Sequence, residues 1–95
     1  MRRGRRVTAP HAIVYLADRT SAAPTRFGFV VSKAVGGSVT RNLLRRRLRT
    51  IGRELVDTGI AGTDIVVRAL PGSGQLDWST LHHEIVTAIT KGTSR

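Results

Sequence analysis

The chain has no cysteine, only three prolines, 4 % aromatic residues and six carboxylates among 95 residues. Without cysteine, neither disulfide staples nor a thiolate zinc site can hold the fold together. Stability must then come from an apolar core, and 40 % hydrophobic residues suffice to build one and to exclude wholesale disorder. At this length the core serves one small domain, which buries only roughly 60 % of its unfolded surface. No apolar run approaches the roughly 18–20 residues of a membrane span. The basic start Met1-Arg2-Arg3-Gly4-Arg5-Arg6 is not followed by the apolar segment of a secretory signal. A single domain, 1–95, working in the cytoplasm is expected.

What the chain has in excess is positive charge, formally +10, and it is unevenly placed. Residues 1–53 hold twelve arginines and Lys33 against Asp18 alone, whereas residues 54–95 hold Arg68, Lys91 and Arg95 against five carboxylates. Such asymmetry marks a surface directed at phosphate or at an anionic membrane. Fourteen of the sixteen cations are arginine, which grips phosphate bidentately and stacks on bases. A solvated charge-rich surface, or a GC-rich genome, would also produce arginine.

The patterning predicts strands at His11–Leu16, Arg26–Ser32 and Asp64–Ala69. The first two read as an antiparallel pair joined by a loop over Asp18–Thr25, with Phe27, Phe29 and Val31 on one face. Gly36-Gly37-Ser38 breaks the chain, and Ser38 or Thr40 is expected to cap a helix running to about Asp57. Pro71-Gly72-Ser73-Gly74 ends the third strand, and Leu81, Ile85, Ala88 and Ile89 form the stripe of a closing helix. Helix on sheet, an α+β two-layer sandwich, is the expected architecture.

The helix Val39–Leu55 is the most informative segment. At about 100° per residue, Leu44, Leu48, Ile51 and Leu55 fall in one stripe of roughly 60° that must face the sheet. Counted from Leu44, Arg41, Arg45, Arg49 and Arg53 follow at about 60, 100, 140 and 180°, with Asn42 near 160° and Arg46 near 200°. Glu54 is the nearest carboxylate and sits off this ridge. Like charges at i, i+4 repel by a few tenths of a kcal/mol, whereas a phosphate backbone converts the same arrangement into counterion release. A nucleic-acid face is therefore favoured over a membrane-surface helix, which would set Trp or Phe beside Lys. Ala34-Val35-Gly36-Gly37-Ser38 resembles an anion-cradling turn at a helix start but lacks the Gly-Lys-Ser/Thr of a P-loop. Tyr15 is either a half-buried strand residue or a platform for an unpaired base.

Features of a self-sufficient enzyme are absent. The carboxylates are scattered, no Gly-x-Ser-x-Gly occurs, and the adjacent His82 and His83 point about 100° apart rather than together. The chain reads as a binder without a small-molecule substrate, its alternatives being a structural RNA-binding protein of ribosomal type and, third, a DNA-binding module.

The run Phe27-Gly28-Phe29-Val30-Val31-Ser32-Lys33-Ala34-Val35-Gly36-Gly37-Ser38-Val39-Thr40-Arg41-Asn42-Leu43-Leu44-Arg45-Arg46-Arg47-Leu48-Arg49 closely resembles the signature of the bacterial ribonuclease P protein subunit: a strand ending in Val-Ser-Lys, a Gly-containing loop, and a helix opening on Arg-Asn. The resemblance implies a small mixed sheet with a left-handed β-α-β crossover through the basic helix, against the common rule. It implies a catalytic RNA as partner, precursor tRNA as substrate, removal of the 5′ leader, and Mg²⁺ at the RNA active site. It assigns RNA contacts to Lys33, Arg41, Asn42, Arg45, Arg46 and Arg49, to which the ridge adds Arg53, and leader contacts to Ile13 and Tyr15. Leu43 stands where the family has a basic residue. Family members also begin with an aromatic-bearing helix that this sequence, starting at Met1-Arg2-Arg3-Gly4, does not include, so a chain truncated relative to the family is expected.

Overall fold

The computed structural model describes residues 4–19 and 23–93. Its elements run β1 (Gly4–Ala9), β2 (Ala12–Asp18), β3 (Arg26–Val30), α1 (Ser38–Asp57), β4 (Thr63–Ala69) and α2 (Trp78–Thr93), with short 3₁₀ turns at Lys33–Val35 and Ser73–Gln75. The four strands form one mixed sheet in the order β1-β2-β4-β3. β1 and β2 are an antiparallel hairpin, β2 pairs antiparallel with β4, and β3 pairs parallel with β4. The parallel neighbours β3 and β4 are joined through α1, so the crossover passes through the basic helix.

Strand alternation makes the two sheet faces unequal. Ala12, Val14 and Leu16 of β2 and Thr63, Ile65, Val67 and Ala69 of β4 are buried on one face. Leu44, Leu48 and Ile51 of α1 and Leu81, Ile85, Ala88 and Ile89 of α2 close over that face and complete the core. Fully burying each such side chain contributes roughly 1.5–3 kcal/mol.

Three expectations are corrected. β2 and β3 do not pair; β4 lies between them, because its alternating Thr63-Asp64-Ile65-Val66-Val67-Arg68-Ala69 supplies a central strand for both. Gly4–Ala9, which the sequence offers only as a basic tail, is a strand whose register runs from Gly4 opposite Ala17 to Ala9 opposite Ala12. The start of α1 is capped by neither Ser38 nor Thr40: Gly37 stands at the cap position, without a side-chain hydrogen bond. Of the loop expected over Asp18–Thr25, residues 20–22 lie outside the described residues, and Pro24 bridges to Ala61.

α2 has the side-chain cap that α1 lacks. The Thr80 backbone N–H donates to Asp77 Oδ1 at 2.8 Å, satisfying one of the free donors of the first turn. The hydrogen bonds from the Thr80 side chain and backbone, with a smaller effect of the Arg47 charge, hold the Asp77 carboxyl below its ordinary value. A carboxyl lowered by folding stabilises the fold above its ordinary pKa and loses that contribution as pH falls through the lowered value. Asp77→Ala should therefore be less stable than the wild type near neutrality. The gap should narrow as urea titrations are taken below about pH 4; a gap independent of pH would contradict the assignment.

Candidate nucleic-acid interface

The orientation of α1 about its own axis is fixed by packing. Leu44, Leu48, Ile51 and Gly52 are its buried positions. Gly52 lies against the stacked rings of Phe27 and Phe29, whose centroids are 6.1 Å apart. A Cβ there would come within 3.1 Å of the Phe29 ring and 3.3 Å of the Phe27 ring, so the glycine permits the close approach. On one flank of this seam, Arg45 donates to the Val31 carbonyl beyond β3 at 3.3 Å. On the other, Arg47 donates to the Leu76 carbonyl at 3.0 Å, and Glu54 meets His82 of α2 at 2.8 Å. The ridge thus runs along the β3 side of α1, away from α2.

Each predicted contact residue can now be placed. Arg41 is half-buried and its Nε donates to the Gly36 carbonyl at 3.2 Å, tying the helix start to the glycine turn. Arg45 is half-buried as well, and donates to Asn42 Oδ1 at 3.3 Å in addition to Val31. Asn42 is exposed and so acts in part as a brace for Arg45. Arg46, Arg49 and Arg53 are exposed, and their guanidinium groups make no hydrogen bond or ion pair among the described residues. Lys33 is exposed at the 3₁₀ turn leading into α1. Arg47, adjacent to the ridge in sequence, is separated from it by its bond to Leu76.

The carboxylates are engaged elsewhere. Asp18 pairs with Arg5 at 2.8 Å, Asp64 with Arg19 and Arg26 at 3.2 and 3.1 Å, Glu84 with His11 at 3.0 Å, and Glu54 with His82. The hydrogen bonds to Asp18 and Asp64 raise the pKa of Arg5 and Arg26 above the ordinary arginine value. Asp57, one turn past Arg53, makes no ion pair with it. No acid stands in the first turn of α1. Among the described residues, then, no carboxylate neutralises Arg41, Arg45, Arg46, Arg49 or Arg53.

Among the described residues, no helix covers the other sheet face, where Val66 and Val30 are exposed. Ile13 and Tyr15 lie on it, half-buried between the inward-facing Ala12, Val14 and Leu16. Their neighbours on that face, unassigned from the sequence, are Arg6 opposite Tyr15 on β1, and Val66 and Arg68 opposite Tyr15 and Ile13 on β4. The period-2 alternation of β4 carries the signal for Val66 and Arg68; Arg6 could be found only once Gly4–Ala9 is known to be a strand. His82 packs against Trp78 with ring centroids 5.4 Å apart, and His83 is exposed. Among the described residues no three His, Asp or Glu side chains converge as metal ligands. No helix among them is long and apolar enough to cross a membrane.

A two-layer α+β domain that mounts an uncompensated arginine ridge beside an open sheet face belongs to the class of proteins built to dock on a polyanion. The particular family follows from comparison with known proteins. The family model described as Ribonuclease P matches residues 1–92. The ribonuclease P protein component of Clavibacter michiganensis subsp. michiganensis is 47 % identical over 91 residues, covering 96 % of this chain and 80 % of that protein. That of Streptomyces avermitilis is 46 % identical over 99 residues, with the same coverage of each. The RNase P protein of Staphylococcus aureus shares the fold at a TM-score of 0.83 and 22 % identity, over 95 % of this chain and 82 % of that one. That of Thermotoga maritima does so at 0.81 and 23 %, over 93 % and 83 %. The chain belongs to the ribonuclease P protein family, and its role is that of a protein subunit of ribonuclease P. A ribosomal-type role is not favoured by these relatives.

The contrast between Arg46 and Arg47 separates binding from stability. Arg47→Ala removes the bond to Leu76 and should lower stability by about 0.5–1.5 kcal/mol, with the salt dependence of RNA binding unchanged. Arg46→Ala should leave stability within about 0.5 kcal/mol and reduce the log–log salt slope of RNA binding by about one. Urea titrations and binding isotherms at several salt concentrations check both; an unchanged slope in Arg46→Ala would exclude it from the interface.

Proposed function

We propose that this chain binds the RNA subunit of ribonuclease P through the α1 ridge and holds the 5′ leader of precursor tRNA on the open sheet face, while the RNA performs the cleavage. The observation that carries this reading is the set Arg41, Arg45, Arg46, Arg49 and Arg53, fixed on a packed helix without a carboxylate partner among the described residues. Guanidinium groups so placed neutralise successive phosphates and release counterions, which favours association. Arg41 and Arg45 are pre-oriented by their bonds to Gly36 and Val31, so less side-chain freedom is lost on binding. Asn42 donates its amide N–H groups to RNA while its oxygen braces Arg45. Lys33 and the uncapped N-terminus of α1 extend the same positive surface.

The leader is proposed to lie across Ile13 and Tyr15, where a flat, partly apolar face suits unstacked bases. Mg²⁺ held at the RNA active site would supply the metal-ion chemistry of hydrolysis, while this chain's residues bind and orient the RNA. By neutralising phosphates, the ridge lowers the repulsion between RNA and substrate that the metal would otherwise have to screen. The complex works in the cytoplasm.

The test is cleavage of precursor tRNA by the cognate RNA at low Mg²⁺, with and without the protein. The protein should raise cleavage at low Mg²⁺ well above that of the RNA alone. Tight RNA binding without any stimulation would favour a purely structural role.

A further inference from the structure

The open face of the sheet holds two arginines that the domain does not use for its own stability. Strand alternation sets Arg6 of β1, Ile13 and Tyr15 of β2, and Val66 and Arg68 of β4 on this face. Arg5 checks the assignment: its Nε donates to the Gly92 carbonyl of α2 at 2.7 Å, so Arg5 points to the helix side and Arg6 to the other. The register places Arg6 directly beside Tyr15, and Arg68 directly beside Ile13. Arg6 and Arg68 therefore flank the Ile13–Tyr15 pair on a diagonal. They are two strand spacings and two residues apart, about 12 Å between Cα atoms.

Both side chains are exposed and make no hydrogen bond or ion pair among the described residues. Arg5 of β1, Arg26 of β3 and Arg19, just past β2, differ: Arg5 is held by Asp18, and Arg19 and Arg26 are held by Asp64. The strip between Arg6 and Arg68 is apolar and aromatic. Val66 is 38 % exposed at its centre, and Val30, 47 % exposed, continues it beside Arg68. Arg6, Tyr15, Ala17 and Val66 line a shallow depression at one end. A flat sheet face offers no helix or ribbon to enter a duplex groove. Two cations across an apolar strip instead match the alternation of an extended single strand, with phosphates for the arginines and base faces for Tyr15, Ile13 and Val66.

We propose that Arg6 and Arg68 form a two-point phosphate clamp that sets the path of single-stranded RNA obliquely across the open sheet face. The clamp rests on the reading above that this face holds the leader, and it adds the residues that fix where the leader runs. Because α1 lies on the other side of the sheet, the clamp can be tested apart from docking on the RNA subunit.

The experiment uses holoenzyme reconstituted with Arg6→Gln, Arg68→Gln, the double variant, Tyr15→Ala and Arg26→Gln. Affinity for leader-bearing precursor tRNA and for mature tRNA is measured over a series of salt concentrations. Arg6→Gln and Arg68→Gln should each weaken precursor binding several-fold and reduce the log–log salt slope by about 0.7, the double variant by about 1.4. Mature tRNA binding and RNA-subunit affinity should not change. Arg26→Gln, on the same face but paired with Asp64, should leave the precursor slope at the wild-type value. If Tyr15→Ala loses leader-dependent affinity and the two arginine variants do not, the clamp is wrong and the leader face stands. Should none of these variants distinguish precursor from mature tRNA, both fail. Equal losses on precursor and mature tRNA would also overturn the clamp, since they would report only diffuse electrostatic attraction.

Discussion

The surface chemistry of this protein depends on one packing constraint, the seating of α1 on the sheet. Leu44, Leu48, Ile51 and Gly52 enter the core, and Gly52 meets the Phe27–Phe29 stack at a distance that no larger residue would allow without a shift. The azimuth of the helix is thereby set, and every other residue of α1 takes its direction from it. Arg41, Arg45, Arg49 and Arg53 follow along one flank because they are four residues apart; on the opposite flank Arg47 turns to Leu76, ahead of α2, and Glu54 to His82 of α2. Like-charge repulsion along the ridge amounts to a few tenths of a kcal/mol per pair. It is outweighed by core burial of roughly 1.5–3 kcal/mol per side chain. The fold can hold the ridge in an otherwise unfavourable state until a polyanion relieves it.

The placement of the carboxylates completes the device. Asp18, Glu54, Asp64 and Glu84 each engage an arginine or histidine off the ridge. Those contacts tie β1 to β2, α1 to α2, β3 to β4, and the β1–β2 turn to α2. Acidic residues thus join elements together and leave the α1 ridge without an ion-pair partner among the described residues. A similar division runs through the arginines: Arg5, Arg19, Arg26 and Arg47 are bonded within the fold, whereas the guanidinium groups of Arg46, Arg49 and Arg53 have no partner among the described residues.

The basic helix was legible in the sequence because a 3.6-residue period over five turns overrides local ambiguity; Leu44, Leu48 and Ile51 are buried and Arg49 and Arg53 exposed, as the angles require. Strand pairing was less legible. β2 and β3 are consecutive, which suggests a hairpin, yet the parallel β3–β4 pair is closed over the whole of α1, and no local signal announces it. β1 was hidden by its charge: no strand is expected from the basic start, although Arg5 bonds to α2 and Arg6 lies on the open face. Asn42 and Arg45 are each expected as RNA contacts from the sequence, whereas their mutual hydrogen bond depends on side-chain directions that spacing alone does not specify.

The account is tested most directly by following backbone amide resonances of the protein as the RNA subunit is added. Changes should track Lys33 and the α1 positions Arg41, Arg45, Arg46, Arg49 and Arg53, while the exposed side of α2 at His83, Thr87 and Lys91 stays unaltered. Perturbation confined to α2, with α1 silent, would mean that the arginine ridge is not where this protein meets RNA.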